Sequence, residues 1–128
     1  MRLLLDTHVF LWWVSDVPEI SRRARSAIAS PGNDCLLSVA SCWEMAIKVG
    51  LGKLKLPAPI ERFIPEQLAA NAFGLLGIDL RHTARVAHLA FHHRDPFDRL
   101  LVAQAIEDGL ALVSADRVFR KYGIKRVW

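Results

Sequence analysis

The sequence predicts an α/β fold, a parallel sheet with helices on both faces. Three observations predict it. Short apolar runs alternate with helix-length periodic segments along the whole chain, the pattern of repeated βαβ units. At 128 residues, 52% hydrophobic and 23% charged, the chain can bury a core of its own, and disorder is excluded. No repeat, low-complexity tract or linker interrupts it, so residues 1–128 are expected to form one domain.

The elements follow in order. Residues 3–5, three leucines, read as a buried strand. Residues 8–14 and 20–29 read as helices, broken near Pro18 and stopped by Pro31 and Gly32. Residues 35–37 are a second strand, and 40–49 a helix ending at Gly50 and Gly52. The alternation of Lys53, Leu54, Lys55 and Leu56 predicts a short edge segment before Pro57 and Pro59. A helix over 60–72 contains Pro65, and residues 75–78 are a third strand. A helix over 81–90 leads into a polar loop at 91–96. The most apolar helix, 97–108, stops at Gly109. A fourth strand over 110–113, a short helix over 115–122 and a last strand over 124–127 complete the chain.

In parallel sheets, ligands bind beyond the carboxyl ends of the strands. Asp6 directly follows the first strand, and Asp116 follows the fourth by two residues. Each is also a natural helix cap. Glu44 lies in S-x-x-E with Ser41, a capping-box spacing, but a helix begun at Ser38 places it deeper, beside Trp43, Met45 and Ile47. Asp98 shares a helix face with Val102 and Ala105 and stands in the first turn, where the helix dipole favours an anion. Asp95 before Pro96 reads as that helix's cap. Carboxylates gathered at one sheet end repel one another and call for a hard divalent cation with oxygen ligands. Such a site suits phosphodiester hydrolysis.

These stretches resemble the PIN-domain ribonucleases, and among them the VapC-type toxins of type II toxin–antitoxin pairs. The resemblance is carried by LLLDTH at 3–8, SVASCWEMAIK at 38–48, GKL at 52–54, HRDPFDRLLVAQA at 93–105 and LVSAD at 112–116. They stand in the family's order and span nearly the whole chain, and DPFDRLL is the most specific. The resemblance implies a three-layer α/β/α fold with a twisted parallel sheet of about five strands. It implies a catalytic quartet of Asp6, Glu44, Asp98 and Asp116 around Mg2+ or Mn2+. Asp6 and Asp98 would be the principal ligands, Asp116 would complete the site directly or through water, and Glu44 would act through water. Ser114 stands where the family often has Thr and keeps the hydroxyl, and Asp95 could assist from the rim. The partners implied are an RNA substrate (transfer, ribosomal or messenger), a cognate VapB-like antitoxin and a second copy of the chain.

The remaining residues extend or limit this reading. Lys48, Arg94, Arg99 and Arg117 flank the acids and are candidates for RNA phosphates. Seventeen Lys and Arg against thirteen Asp and Glu give +4, and setting the quartet aside leaves 17 cations against 9 other acids. That surface favours nucleic acid. His92 and His93 read as loop or RNA-contact residues, since no thiol or HExxH pattern accompanies them to make a zinc site. Trp12, Trp13, Trp43 and Phe97 read as core or dimer interface rather than base-stacking platforms. Cys35 and Cys42, seven apart in apolar stretches, read as buried free thiols. No signal-peptide core and no apolar run longer than the six residues of 9–14 is present, so a cytoplasmic, non-membrane protein is expected. A phosphatase with Asp6 as nucleophile would want a second Asp where His8 stands. A non-catalytic RNA- or protein-binding module on the same fold is the alternative, against which stand the four acids.

Overall fold

The computed structural model describes residues 1–128. Five parallel strands form one sheet: β1 (Arg2–Leu5), β2 (Asp34–Ser38), β3 (Gly74–Leu76), β4 (Ala111–Val113) and β5 (Arg126–Val127). Their spatial order is β3-β2-β1-β4-β5, and every neighbouring pair is parallel. From β1 the chain winds outward through β2 and β3, then returns to lay β4 against β1's other edge. The order therefore reverses between β1 and β4, and a crevice opens at their carboxyl ends.

The helices are α1 (Thr7–Val14), α2 (Arg22–Ala29), α3 (Val39–Gly50), α4 (Ile60–Asn71), α5 (Leu80–Val86) and α6 (Pro96–Asp108), with a 3₁₀ turn at Arg117–Tyr122. Leu3, Leu4 and Leu5 are fully buried because both faces of β1 are covered. Leu3 and Leu5 point to a core shared with Val9, Phe10, Ala24, Ile28, Met45 and Phe63, from α1 to α4. Leu4 points the other way, to Leu101, Val102 and Ala105 of α6 and to Phe119. The three-layer architecture expected from the sequence is thus present, with the strand's two-residue period dividing the two cores.

Several local expectations need correction. Residues 53–56 form no strand. Leu54 and Leu56 pack on the first core, and prolines 57 and 59 withhold two backbone donors that a sheet edge would use. The helix expected at 115–122 is a 3₁₀ turn that starts one residue after Asp116, whose carboxylate accepts from Val118 N–H at 2.9 Å. The third strand begins at Gly74, where a Cβ would stand 2.8 Å from Leu36 Cδ2 on the neighbouring strand. The helix expected at 81–90 ends at Val86, and residues 87–89 tighten into i→i+3 hydrogen bonds. No helix is long and apolar enough to cross a membrane.

Candidate active site

The acids reach the crevice by different local routes. Asp6 ends β1: its backbone N–H donates to Val113 O on β4 (3.1 Å), and its Oδ1 caps α1 by accepting from His8 N–H (3.0 Å). The second oxygen, Oδ2, accepts from the Ser114 hydroxyl at 2.6 Å. Ser114 Oγ in turn accepts from Asp116 N–H at 3.1 Å, so the turn after β4 is tied to the turn after β1. A serine at this position needs only its hydroxyl to do this.

Ser38 is the cap of α3, accepting from Ala40 N–H. Glu44 therefore lies within the helix, and the Ser41 capping-box alternative does not hold. Buried to 8% exposure, Glu44 accepts at Oε1 from the Thr7 hydroxyl (2.7 Å) and at Oε2 from Lys48 Nζ (2.9 Å). Thr7 Oγ1 also lies 2.8 Å from Ser41 Oγ. Asp95 caps α6, taking the Phe97 and Asp98 amides at 2.9 and 3.2 Å, with Pro96 at the first helical position.

Asp6, Glu44, Asp95, Asp98, Ser114 and Asp116 then line one cavity of about 150 Å³, with His8, Val9 and Trp12 on its wall. All four quartet residues and both assisting candidates converge there. Burial and the charges of Asp95, Asp6, Glu44 and Asp116 push the Asp98 carboxyl up to about 8. Burial also raises Asp6, against the opposing pull of the Ser114 and His8 hydrogen bonds. One permanent cation is in view, Lys48 on Glu44; beside it stand two imidazoles, His8 Nδ1 at 3.9 Å from Asp6 Oδ1 and His93 Nε2 at 3.4 Å from Asp98 Oδ2.

The donor set fits a hard divalent cation: every group lining the polar floor offers oxygen, and the uncompensated charge asks for one. No three acidic or imidazole groups converge closely enough to make a closed cage. Mg2+ does not need one, because it keeps several waters and is held by one or two carboxylates.

The flanking cations divide. Lys48 and Arg94 line an adjoining groove that shares Glu44 and Asp95 with the acidic cavity. Arg117 is exposed just past Asp116. Arg99 is not an RNA contact: it is 4% exposed and donates to the carbonyls of Ala90 (2.8 Å) and Leu89 (3.4 Å) and to the Tyr122 oxygen (3.2 Å). Its position one residue after Asp98 turns it about 100° around the helix from that acid, over Phe91 at 4.1 Å. His93 is also no free loop residue. It is half-buried behind Asp98, its Nδ1 2.7 Å from the Tyr122 hydroxyl. Thr7 and Tyr122 carry no signal in the sequence, since a lone hydroxyl has no periodic pattern. Trp43 is 58% exposed, edge-on to Phe97 at 5.2 Å, and is not core. Trp12 and Trp13 pack on the first core, as expected, and Cys35 is buried, whereas Cys42 is only half-buried; burial raises both thiols.

Comparison with known proteins identifies the family and the fold. The PIN domain family model matches residues 3–125. Ribonuclease VapC22 of Mycobacterium tuberculosis is 31% identical over 121 residues, covering 94% of this chain and 91% of that protein. Among solved structures, VapBC2 from Rickettsia felis bound to a DNA fragment from its promoter superposes with a TM-score of 0.73 at 14% identity, over 100% of both chains. DNA-bound VapBC from Salmonella typhimurium gives 0.68 at 19% identity, over 98% of this chain and 96% of that one. These two show a shared fold.

Proposed function

The chain belongs to the PIN-domain family, and from that premise we propose that it is a metal-dependent endoribonuclease, the toxin of a toxin–antitoxin pair. The observation that carries the reading is Asp98, raised to about 8 among four other carboxylates in one small cavity at the sheet's switch point. Charge accumulated this way, without matching cations, is a cost to folding that a divalent ion and an RNA phosphate together offset.

Asp6 and Asp98 would hold the ion, Mg2+ or Mn2+, with Asp116 completing the set directly or through water and Glu44 acting through water. When bound, the ion lowers the pKa of water and stabilises the charge of an in-line phosphoryl transition state. The chain's own residues do the rest. Ser114 fixes the rotamer of Asp6 through its 2.6 Å hydrogen bond. Thr7 and Lys48 hold both oxygens of Glu44, so that this acid is kept oriented toward the cavity. Asp95 spends one oxygen on the α6 cap and leaves the other at the rim. Lys48 and Arg94 in the adjoining groove, with the exposed Arg117 beside Asp116, take the phosphates flanking the cut. VapBC complexes are the structures it resembles, so a VapB-like antitoxin is the partner proposed, with a homodimer as the toxin's own assembly.

Purified chain, freed of antitoxin, is incubated with total RNA in Mg2+ or Mn2+ and in EDTA. Metal-dependent fragments with 5′-phosphate and 3′-hydroxyl ends are expected, and Asp6→Asn and Asp98→Asn should produce none. Fragments ending in 2′,3′-cyclic phosphate, or cleavage unaffected by EDTA, overturn the mechanism. Binding of RNA without any cleavage would favour the non-catalytic module instead.

A further inference from the structure

We propose that His93 is the positioning residue for Asp98, set in its working tautomer by Tyr122 and Arg99; this rests on the reading of Asp98 as a metal ligand. The site's carboxylates differ in one respect. Asp6 accepts from Ser114 and His8, Glu44 from Thr7 and Lys48, Asp95 from two amides and Asp116 from Val118. The Asp98 side chain alone accepts no hydrogen bond. A ligating carboxylate ordinarily has such a partner, which fixes its orientation.

The donor facing it is His93 Nε2, buried, without a hydrogen-bond partner, and 3.4 Å from Asp98 Oδ2. That distance is too long for a good hydrogen bond and short enough to become one with a small rotation. The proton can be placed by following the chain of donors back. Arg99 can only donate, and its Nη1 occupies a lone pair of the Tyr122 oxygen at 3.2 Å. The Tyr122 hydrogen has one protein acceptor, His93 Nδ1 at 2.7 Å. With Nδ1 accepting, neutral His93 carries its proton on Nε2, the nitrogen that faces Asp98.

The imidazole is held to this orientation by edge-to-face packing on Phe119 (5.8 Å) and Tyr122 (5.5 Å). Arg99 is itself anchored on the Leu89 and Ala90 carbonyls, freed by the tightened turn after α5. The relay thus runs from the backbone at 89–90 through Arg99, Tyr122 and His93 to Asp98. It assigns a role to the two residues, Arg99 and His93, whose burial removes them from direct RNA contact.

The test is Mn2+ binding to the full-length chain by calorimetry, with RNA cleavage rates and melting midpoints measured on the same samples. His93→Asn keeps a polar atom near Nδ1 but withdraws the Nε2 donor, and should weaken Mn2+ binding about 10–100-fold. His93→Gln places an amide N–H near Nε2 and should stay within about threefold of wild type. Tyr122→Phe keeps the ring packing, releases the tautomer and should fall between them. If His93→Asn does not fold, Tyr122→Phe decides. Wild-type affinity in both His93→Asn and Tyr122→Phe, or equal loss in His93→Gln and His93→Asn, overturns the proposal and leaves the ribonuclease reading standing. A wild-type chain that neither binds Mn2+ nor cleaves RNA removes the metal reading, and this inference with it.

Discussion

Helix α6 carries an aspartate near each end, and each faces a histidine. At its amino end Asp98 Oδ2 lies 3.4 Å from His93 Nε2; at its carboxyl end Asp108 Oδ2 lies 2.8 Å from His82 Nε2. In the His82 pair Nδ1 accepts from the Asp79 amide, and in the His93 pair Nδ1 lies 2.7 Å from the Tyr122 hydroxyl. The helix dipole favours an anion at Asp98 and disfavours one at Asp108. The carboxyls shift in the opposite sense. Burial and the neighbouring acids raise Asp98 to about 8, whereas at Asp108 the hydrogen bonds from His82 and Arg81 outweigh burial and lower it. A dipole worth about 0.3–1 kcal/mol moves a pKa by less than one unit, so local partners decide. One end is a clamp, with Arg81 and Arg85 meeting Asp79, Asp108 and Glu107. The other is a site left short of cations.

Neutralising each end separately breaks the comparison most sharply. Asp98→Asn should reduce RNA cleavage at least about a hundredfold, as expected for a preorganised charged group. In EDTA the same variant should melt roughly 2–8 °C higher than wild type, since it removes repulsion. A lower melting point would contradict the picture of an uncompensated site. Asp108→Ala should do the reverse. It leaves the buried His82 Nε2 without an acceptor, which costs about 1–3 kcal/mol in urea unfolding, with RNA cleavage per folded molecule unchanged.

The two ends should also tilt the pH dependence of stability in opposite directions. Asp98 has its folded pKa above the unfolded one, so between its ordinary 3.8 and about 8 the folded chain binds more protons, and stability falls as pH rises. Asp108 is lowered, so its contribution is present above the ordinary carboxylate value and is lost as pH falls through the folded one. Melting in EDTA from pH 5 to 8 should therefore show a decline that Asp98→Asn, or replacing EDTA with saturating Mn2+, abolishes. A flat wild-type profile would count against the crowded carboxyl. The smallest effect is expected at Arg81, which is 57% exposed. Arg81→Gln should destabilise less than Asp108→Ala, and the difference from wild type should vanish in 0.5 M salt.

The sequence by itself determined the α/β alternation, the burial of three consecutive leucines on both sheet faces, and the caps at Asp95 and Gly109, because each depends on residues within a few positions of one another. It also marked the acids, through where they fall relative to strand ends and through motifs such as DPFDRLL. Tertiary structure alone decided that they meet in one crevice at that end, since this follows from β4 returning to the free edge of β1. It decided that Glu44 lies inside a helix against Thr7 rather than in a capping box, and that Arg99 turns inward to Tyr122 instead of outward to RNA. It also decided that residues 53–56 find no strand to pair with. Those outcomes depend on partners as many as 108 residues away in sequence. Local propensity fixes an element and its face, but the loss or gain of a long-range partner fixes what a polar side chain does there.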